Sequence, residues 1–152
     1  MILEAMLEQS IIEAFRGLHW QNDIQIAGSR LPDTHSEEAY SNPIIAVASG
    51  FRNHDAFSLS LVNVPVAISI VTRVEGDAQS QEHNASVEKI VDLLVYWHKN
   101  GEAMSNALSS EKFLAGELRM DGGTTQTFDR QRMIWTDTIN INIRGAEKFP
   151  DP

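Results

Sequence analysis

Residues 64 to 99 constrain the fold more than any other part of the chain. They begin with alternating apolar side chains, so Val66, Ile68 and Ile70 fall on one face of a strand. The other face, which includes Ala67 and Val71, is also largely apolar. This pattern predicts an interior strand that is covered on both sides. The polar sequence EGDAQSQEHN follows, and we interpret it as a turn.

A helix is predicted after this turn, from about Ser86 to Lys99. At 100° per residue its apolar side chains cover an arc of roughly 200°, about twice the usual stripe. The helix therefore packs on its own sheet and has apolar surface left for a second contact. Leu93 and Trp97, at the rim of the arc, are candidates for either self-association or burial in the core. Tyr96 lies beside them and completes this candidate interface, because aromatic side chains are enriched at interfaces.

The rest of the chain supplies a second main helix and several strands. Residues 1–19 carry an amphipathic helical pattern. Turn-forming residues fill 28–43 and 50–58, so both segments are predicted to be exposed loops. We expect short strands at 23–27 and 44–49, a lead into the main strand at 59–62, and a helical turn within 102–112.

A C-terminal hairpin is predicted with its turn at Asp121-Gly122-Gly123. Phe113 to Met120 forms the first strand and Thr125 to Arg144 the second. The second strand has one apolar face, with Trp135, Ile139, Ile141 and Ile143 beside Asp137. Its polar face includes Asn140, Asn142 and Arg144, which we take as a second candidate interface. Together the elements predict one α+β domain over residues 1–152, with a mixed, mostly antiparallel sheet and two main helices on one face.

Composition excludes several classes of protein. The net charge of −9, with 12 scattered Lys and Arg residues, argues against gripping nucleic acid through its phosphates. The absence of cysteine excludes disulfides and thiolate metal sites. No apolar run is long enough for a membrane helix and no signal peptide is recognisable, so we expect a soluble protein that is made inside the cell.

No catalytic or metal-binding motif is recognisable. The five histidines lack metal-ligand spacing, and Gly122-Gly123-Thr124-Thr125 lacks the spacing of a phosphate loop. His98, on the apolar arc, is expected to be a capped core or interface histidine. His54-Asp55 and the segment Asp33-Thr34-His35 are loop pairs for which acid–base chemistry is the alternative to simple solvation. We expect no enzyme activity, no cofactor and no metal.

Two stretches resemble a known group of proteins. One is VPVAISIVTRVEGDAQSQEHNASVEKIVDLL, an apolar strand, a polar turn and a helix with a histidine just before it. The other is GELRMDGGTTQTFDRQRMIWTDTININIR, a hairpin whose last strand alternates isoleucine with polar residues. With the leading helix, this order of elements over residues 3 to 144 resembles the tail-terminator and tail-completion proteins of long-tailed bacteriophages. It resembles the related head–tail joining (neck) proteins almost as closely.

The resemblance implies a structural virion protein that is made in the host cytoplasm and has no cofactor. Such a subunit assembles into a ring, commonly a hexamer, that caps the tail tube and joins it to the head. Its partners would be further copies, the tail tube protein and the head–tail connector proteins. Genomic DNA would pass through the lumen without specific binding, and no membrane is involved. If acidic residues line the lumen, they would keep DNA from adhering as it passes. Loops 28–43 and 50–58 would contact the tube or connector.

Three alternatives remain open at this stage. One is a neck protein of the same ring type, and another is a small dimeric α+β module that binds a ligand or a protein. The third is an enzyme that uses His54 and Asp55. If the ring interpretation holds, Trp97→Ala is expected to weaken assembly more than folding.

Overall fold

The computed structural model describes residues 1–22, 24–28 and 42–149. The predicted loop 28–43 therefore falls almost wholly outside the described residues, as do Asp33-Thr34-His35. The described helices are α1 (Leu3–Arg16), α2 (Asp77–Lys99) and α3 (Gly101–Leu108). The described strands are β1 (Gln25–Ala27), β2 (Ile44–Ser49), β3 (Asn53–His54), β4 (Leu61–Arg73), β5 (Phe113–Asp129) and β6 (Ile134–Glu147).

The strands form one sheet in the order β1-β2-β4-β6-β5, and the short β3 also pairs with β4. β1 and β2 are parallel, and the other described pairs are antiparallel. The longest uninterrupted pairing joins β4 to β6 and places Val66 opposite Ile141 and Ile68 opposite Ile139. The predicted α+β class, with a mixed and mostly antiparallel sheet, is confirmed.

The main core lies between one face of this sheet and the helices. Val62, Val64, Val66, Ile68 and Ile70 of β4 are at most 2% exposed and face the helices. Each aliphatic side chain buried in this way contributes roughly 1.5–3 kcal/mol. The buried residues that meet them include Leu7, Ile11 and Phe15 of α1, Ile90 and Leu94 of α2, Met104 and Leu108 of α3, and Ile139, Ile141 and Ile143 of β6. The prediction that helices pack on one face is confirmed.

The other face of β4 is covered by no helix within the described residues. Pro65, Ala67 and Ser69 on this face are half-buried, and the only apolar cluster there is small, formed by Ile44, Val71 and Ile134 among the described residues. Among the described residues, helices therefore cover one side of this strand, and the expected cover of its other side is not seen there. Small side chains such as alanine and serine are shielded by their neighbours in the sheet and do not need a second layer.

Helix α2 begins at Asp77, well before the predicted start near Ser86, so the interpretation of EGDAQSQEHN as a turn is wrong. Its buried stripe is His83, Ser86, Ile90, Leu94 and Trp97, at the spacing of one helix face. Since the first two members are polar, hydrophobic periodicity does not reveal them. An acidic residue in the first turn also favours this start, because it complements the helix dipole.

The turn of the C-terminal hairpin is also displaced. β5 runs through the predicted turn at Asp121-Gly122-Gly123, where the register shifts between Met120 and Thr124 as in a β-bulge. The chain reverses at residues 130–133, and Met133 has a φ of 56°. This turn contains no glycine or proline. It is stabilised by Asp129, whose carboxylate accepts the backbone N–H groups of Gln131 and Arg132.

Candidate functional site

The candidate interface on α2 is only partly at the surface. Trp97 is 4% exposed and belongs to the main core, so its assignment to a surface contact is wrong. It lies on the same helix face as Ile90 and Leu94, and this face packs in the main core. Leu93 is half-buried against the core and Tyr96 is 52% exposed. For these two residues an interface role remains a prediction.

The second candidate interface lies on the open face of the sheet. Asn140 is exposed, while Asn142 and Arg144 are half-buried. Arg144 is ion-paired with Asp55 at 3.1 Å. Since Leu93 and Tyr96 belong to a helix on the opposite face, the structure does not bring the two predicted patches together. Each remains a separate prediction.

A surface that sequence reasoning missed lies at one end of the molecule. Ten large apolar side chains are exposed among the described residues, and seven of them belong to segments that meet where β4 begins and β6 ends. Phe57 is 100% exposed, Leu59 76% and Phe51 71%. We call this surface the apolar end, and its members are Met1, Ile2, Phe51, Phe57, Leu59, Leu114 and Phe149.

Backbone and side-chain contacts hold these segments at the same end. The Glu147 N–H at the end of β6 donates to the Ser60 carbonyl at 2.6 Å, just before β4. The Lys148 N–H donates to the Lys112 carbonyl at 2.8 Å, just before β5. The Lys112 ammonium donates to the Met1 carbonyl at 2.6 Å, which adds the start of the chain to the surface.

Polar contacts order the loop that carries Phe57. The Arg52 guanidinium donates to both oxygens of Glu4 at 2.8 Å and also to Glu147. Its backbone N–H donates to Glu4 at 2.9 Å. The Asp55 carboxylate accepts the Phe57 N–H at 2.8 Å, an Asx-type turn. The loop therefore presents its apolar side chains on a backbone that is already fixed, which lowers the entropic cost of binding.

Arg52 and Glu4 stabilise each other's charged form within this loop network. Burial acts to raise the pKa of Glu4, but the hydrogen bonds from Arg52 outweigh it and leave that pKa below its usual value. The hydrogen bond with Glu4 in turn raises the pKa of Arg52. Both groups are therefore ionised at neutral pH, and the pair stabilises the folded state under those conditions.

Replacing this arginine is expected to have a pH-dependent effect. Arg52→Gln should lower the free energy of unfolding by about 1.5–3 kcal/mol at pH 7, the usual worth of hydrogen bonds to a charged group. Because the folded-state pKa of Glu4 is depressed, this contribution is present above the unfolded carboxyl pKa of about 4.3 and is lost as the pH falls through the folded value. Urea unfolding of both proteins at pH 7 and at about pH 3 measures the change.

The difference between wild type and variant should therefore shrink in acid. The matched control is Arg119→Gln, because Arg119 is exposed and pairs with the equally exposed Glu117. We expect it to have little effect at either pH. A difference for Arg52→Gln that stays constant from neutral to acidic pH would contradict this account.

A buried polar cluster joins α2 to the sheet. His83 is fully buried, with its Nδ1 2.7 Å from the Thr72 hydroxyl and its Nε2 2.5 Å from the Asp137 carboxylate. The Gln126 amide also donates to Asp137, at 3.1 Å. The order hydroxyl, imidazole, carboxylate is that of a hydrolase triad. Because Thr72 is 0% exposed, a substrate has no path to its hydroxyl, and the cluster instead fastens the first turns of α2.

The other histidines singled out by sequence have separate partners. His54 lies 3.2 Å from the Glu147 carboxylate, while the neighbouring Asp55 pairs with Arg144. The structure thus gives these two loop residues different partners and does not form them into one acid–base pair. His98 is exposed and donates from Nδ1 to the Leu118 carbonyl at 2.7 Å, so it is capped but is not a core residue.

The described ranges 1–22, 24–28 and 42–149 hold no group of three or more His, Asp or Glu side chains arranged to bind a metal ion. None of the helices in these ranges has the length and apolar character needed to cross a membrane.

Comparison with known proteins identifies no family and gives a distant structural similarity. No protein-family model matches the chain, and no curated protein matches it. Among solved structures, a chain from the virion of a native gene transfer agent (GTA) particle is similar over 96% of this chain and 95% of that one. The two share 14% sequence identity with a TM-score of 0.49. A similarity of this size carries no argument about function.

Proposed function

We propose that this chain is a structural subunit of a phage-like particle, and specifically a ring-forming tail terminator that caps the tail tube and joins it to the head. The observation that carries the proposal is the apolar end, because a protein that keeps such a surface exposed on an ordered backbone uses it for assembly. The choice of a tail-terminator ring rests on the resemblance of residues 3–144 to tail-terminator and tail-completion proteins.

The size of the apolar end suits a specific interface. Aromatic side chains bury about 150–250 Å² each, and three of the seven members are phenylalanines. The other four members are Met1, Ile2, Leu59 and Leu114. The area that all seven side chains could bury approaches the roughly 800 Å² that each partner buries in a standard interface. An isolated exposed phenylalanine would need no such explanation.

The charge of the chain is also consistent with this role. A net charge of −9 repels the phosphate backbone, so DNA could pass through a ring of these subunits without adhering to it. A neck subunit of the same ring type would use the same properties. The two roles differ in whether the ring binds the tail tube or the connector of the head, which imaging can distinguish.

The test is a light-scattering mass combined with negative-stain imaging, on the protein alone and with purified tail tubes. We expect rings, or caps at one end of the tubes. Phe57→Asp should weaken this binding roughly 30-fold, as expected for a hot-spot side chain worth about 2 kcal/mol. Its thermal unfolding should be unchanged, since the Phe57 side chain is fully exposed.

A charge-matched control is Gln131→Asp, at the exposed tip of the β5–β6 hairpin away from the apolar end. It should leave capping intact. A stable dimer that ignores tubes would replace the proposal with the dimeric binding module. If Phe57→Asp forms caps as well as the wild type does, the apolar end is not the surface used for assembly.

A further inference from the structure

We propose that the apolar end of one copy docks into a groove beside α2 of a second copy, with Phe57 as the inserted side chain. The inference rests on the proposed function, since it identifies the repeated contact that would close a ring. It assigns a partner surface to the apolar end within the same chain.

The groove lies between the segment that follows α1 and the N-terminal half of α2. Its volume is about 580 Å³, within the range of pockets that enclose a small ligand or one to two large side chains. The small side chains of Ala78 and Ala85 leave this space open on α2. The lining also includes Trp20, Asn22, Ile24 and Lys89.

One wall of the groove is fixed before any partner arrives. The indole N–H of Trp20 donates to the Phe15 carbonyl at 2.9 Å. The Lys89 ammonium lies over the Trp20 ring, 4.7 Å from its centre. The apolar members of the lining are Trp20, Ile24, Ala78 and Ala85, and the polar members are Gln21, Asn22, Gln81, Glu82, Ser86 and Lys89. A mixed lining of this kind can contact the ring of an inserted phenylalanine and the polar backbone that carries it.

The two surfaces lie at opposite ends of α1. The loop that carries Phe57 is tied to Glu4 in the first turn of α1, whereas Trp20 follows the last turn. A helix of 14 residues is about 21 Å long. Phe57 therefore does not reach the groove of its own molecule. Two different patches on one subunit are the requirement for a head-to-tail contact, which forms a ring where the rotation between subunits closes.

The charges around the two surfaces have opposite signs. Lys112 and Lys148 at the apolar end donate to backbone carbonyls, and the N-terminal ammonium lies beside them, while Glu111 offsets one of these charges. Of the other acids of this end, Asp55 pairs with Arg144, while Glu4 and Glu147 share Arg52. Glu82 and Lys89 line the groove, and Asp77, Glu88 and Asp92 are further acidic residues of α2. The apolar end thus keeps a small excess of positive charge and α2 an excess of negative charge, which favours this pairing over contacts between like faces of an acidic chain.

The absence of cysteine makes a crosslinking test direct. We would place one thiol in the loop with Ala56→Cys and one in the groove with Ala85→Cys, both at exposed positions. A short bis-maleimide is then added to the double variant, at high protein concentration and on tail tubes. We expect a ladder of dimers, trimers and larger species. A 1:1 mixture of the two single variants should stop at dimers.

Phe57→Asp added to the double variant should reduce the ladder about tenfold or more, since it places a charge in the groove. The inference is overturned if no ladder forms, or if Ala56→Cys alone crosslinks as well as the mixture, which would indicate a symmetric contact. Tube capping by the wild type is scored in parallel. If the wild type caps tubes but the double variant gives no ladder, this contact is rejected and the tail role is retained. If a ladder forms but the wild type caps no tubes, the contact is retained and the tail role is rejected.

Discussion

Asp137→Ala is expected to lower the free energy of unfolding by about 3 kcal/mol or more, because it removes two hydrogen bonds to a carboxylate, each usually worth about 1.5–3 kcal/mol. Asp137 is 5% exposed and accepts hydrogen bonds from both His83 and Gln126. Its loss leaves a fully buried imidazole nitrogen without a partner, in a site that water does not reach. Urea unfolding followed by far-ultraviolet circular dichroism measures the change.

The control is the same substitution at an exposed position of α2, Asp92→Ala, which should change stability by no more than about 0.5 kcal/mol. The cluster joins α2 to three strands, through Thr72 on β4, Gln126 on β5 and Asp137 on β6. A loss below 1 kcal/mol for Asp137→Ala would mean that the polar cluster does not hold the helix to the sheet.

Trp97→Ala is the second substitution with a large expected effect, a loss of about 3–5 kcal/mol in the free energy of unfolding. The side chain is 4% exposed and packs in the main core, so its removal leaves a cavity that the surrounding strands and helices can fill only partly. This reverses the expectation from sequence, in which the substitution weakened assembly more than folding. Thermal and urea unfolding of the isolated protein test it directly.

The adjacent residue supplies the comparison. Tyr96→Ala removes a ring that is 52% exposed, so its effect on stability should stay within about 0.5 kcal/mol. If Trp97→Ala left the unfolding curve in place and only reduced association, the tryptophan would be an interface residue after all. If Tyr96→Ala reduced association without changing stability, the predicted role of this part of α2 would gain support.

The parts of the fold that sequence predicted are those with a clear hydrophobic period. The stripe of α1 and the alternation in β4 and β6 repeat apolar side chains at the spacing of the element, and β2 is a short apolar run, so the type of each element follows. The apolar face of β6 was assigned correctly even at its polar member, Asp137. Alternation fixes the face on which a residue lies, whatever its chemistry.

The remainder depended on polar residues in structural roles. The first turns of α2 bury His83 and Ser86, which resemble loop residues in a sequence. The two glycines after Asp121 indicate a turn, but here they lie at a bulge inside β5. The apolar end was missed for a related reason. A phenylalanine in a loop such as Phe57 has no sequence feature that distinguishes exposure from burial, and only the ion pairs of Arg52 and Arg144 reveal how the loop is held.

The pairing of β4 with β6 also has a consequence for how the protein folds. These strands are neighbours at the centre of the sheet, although residues 74–133 separate them in the chain. Closing so long a loop costs entropy before any pairing is gained, which places the molecule among slow-folding topologies. The local β5–β6 hairpin can form early, but β4 has no central partner until β6 has been synthesised. During translation the sheet therefore remains incomplete until the last strand leaves the ribosome.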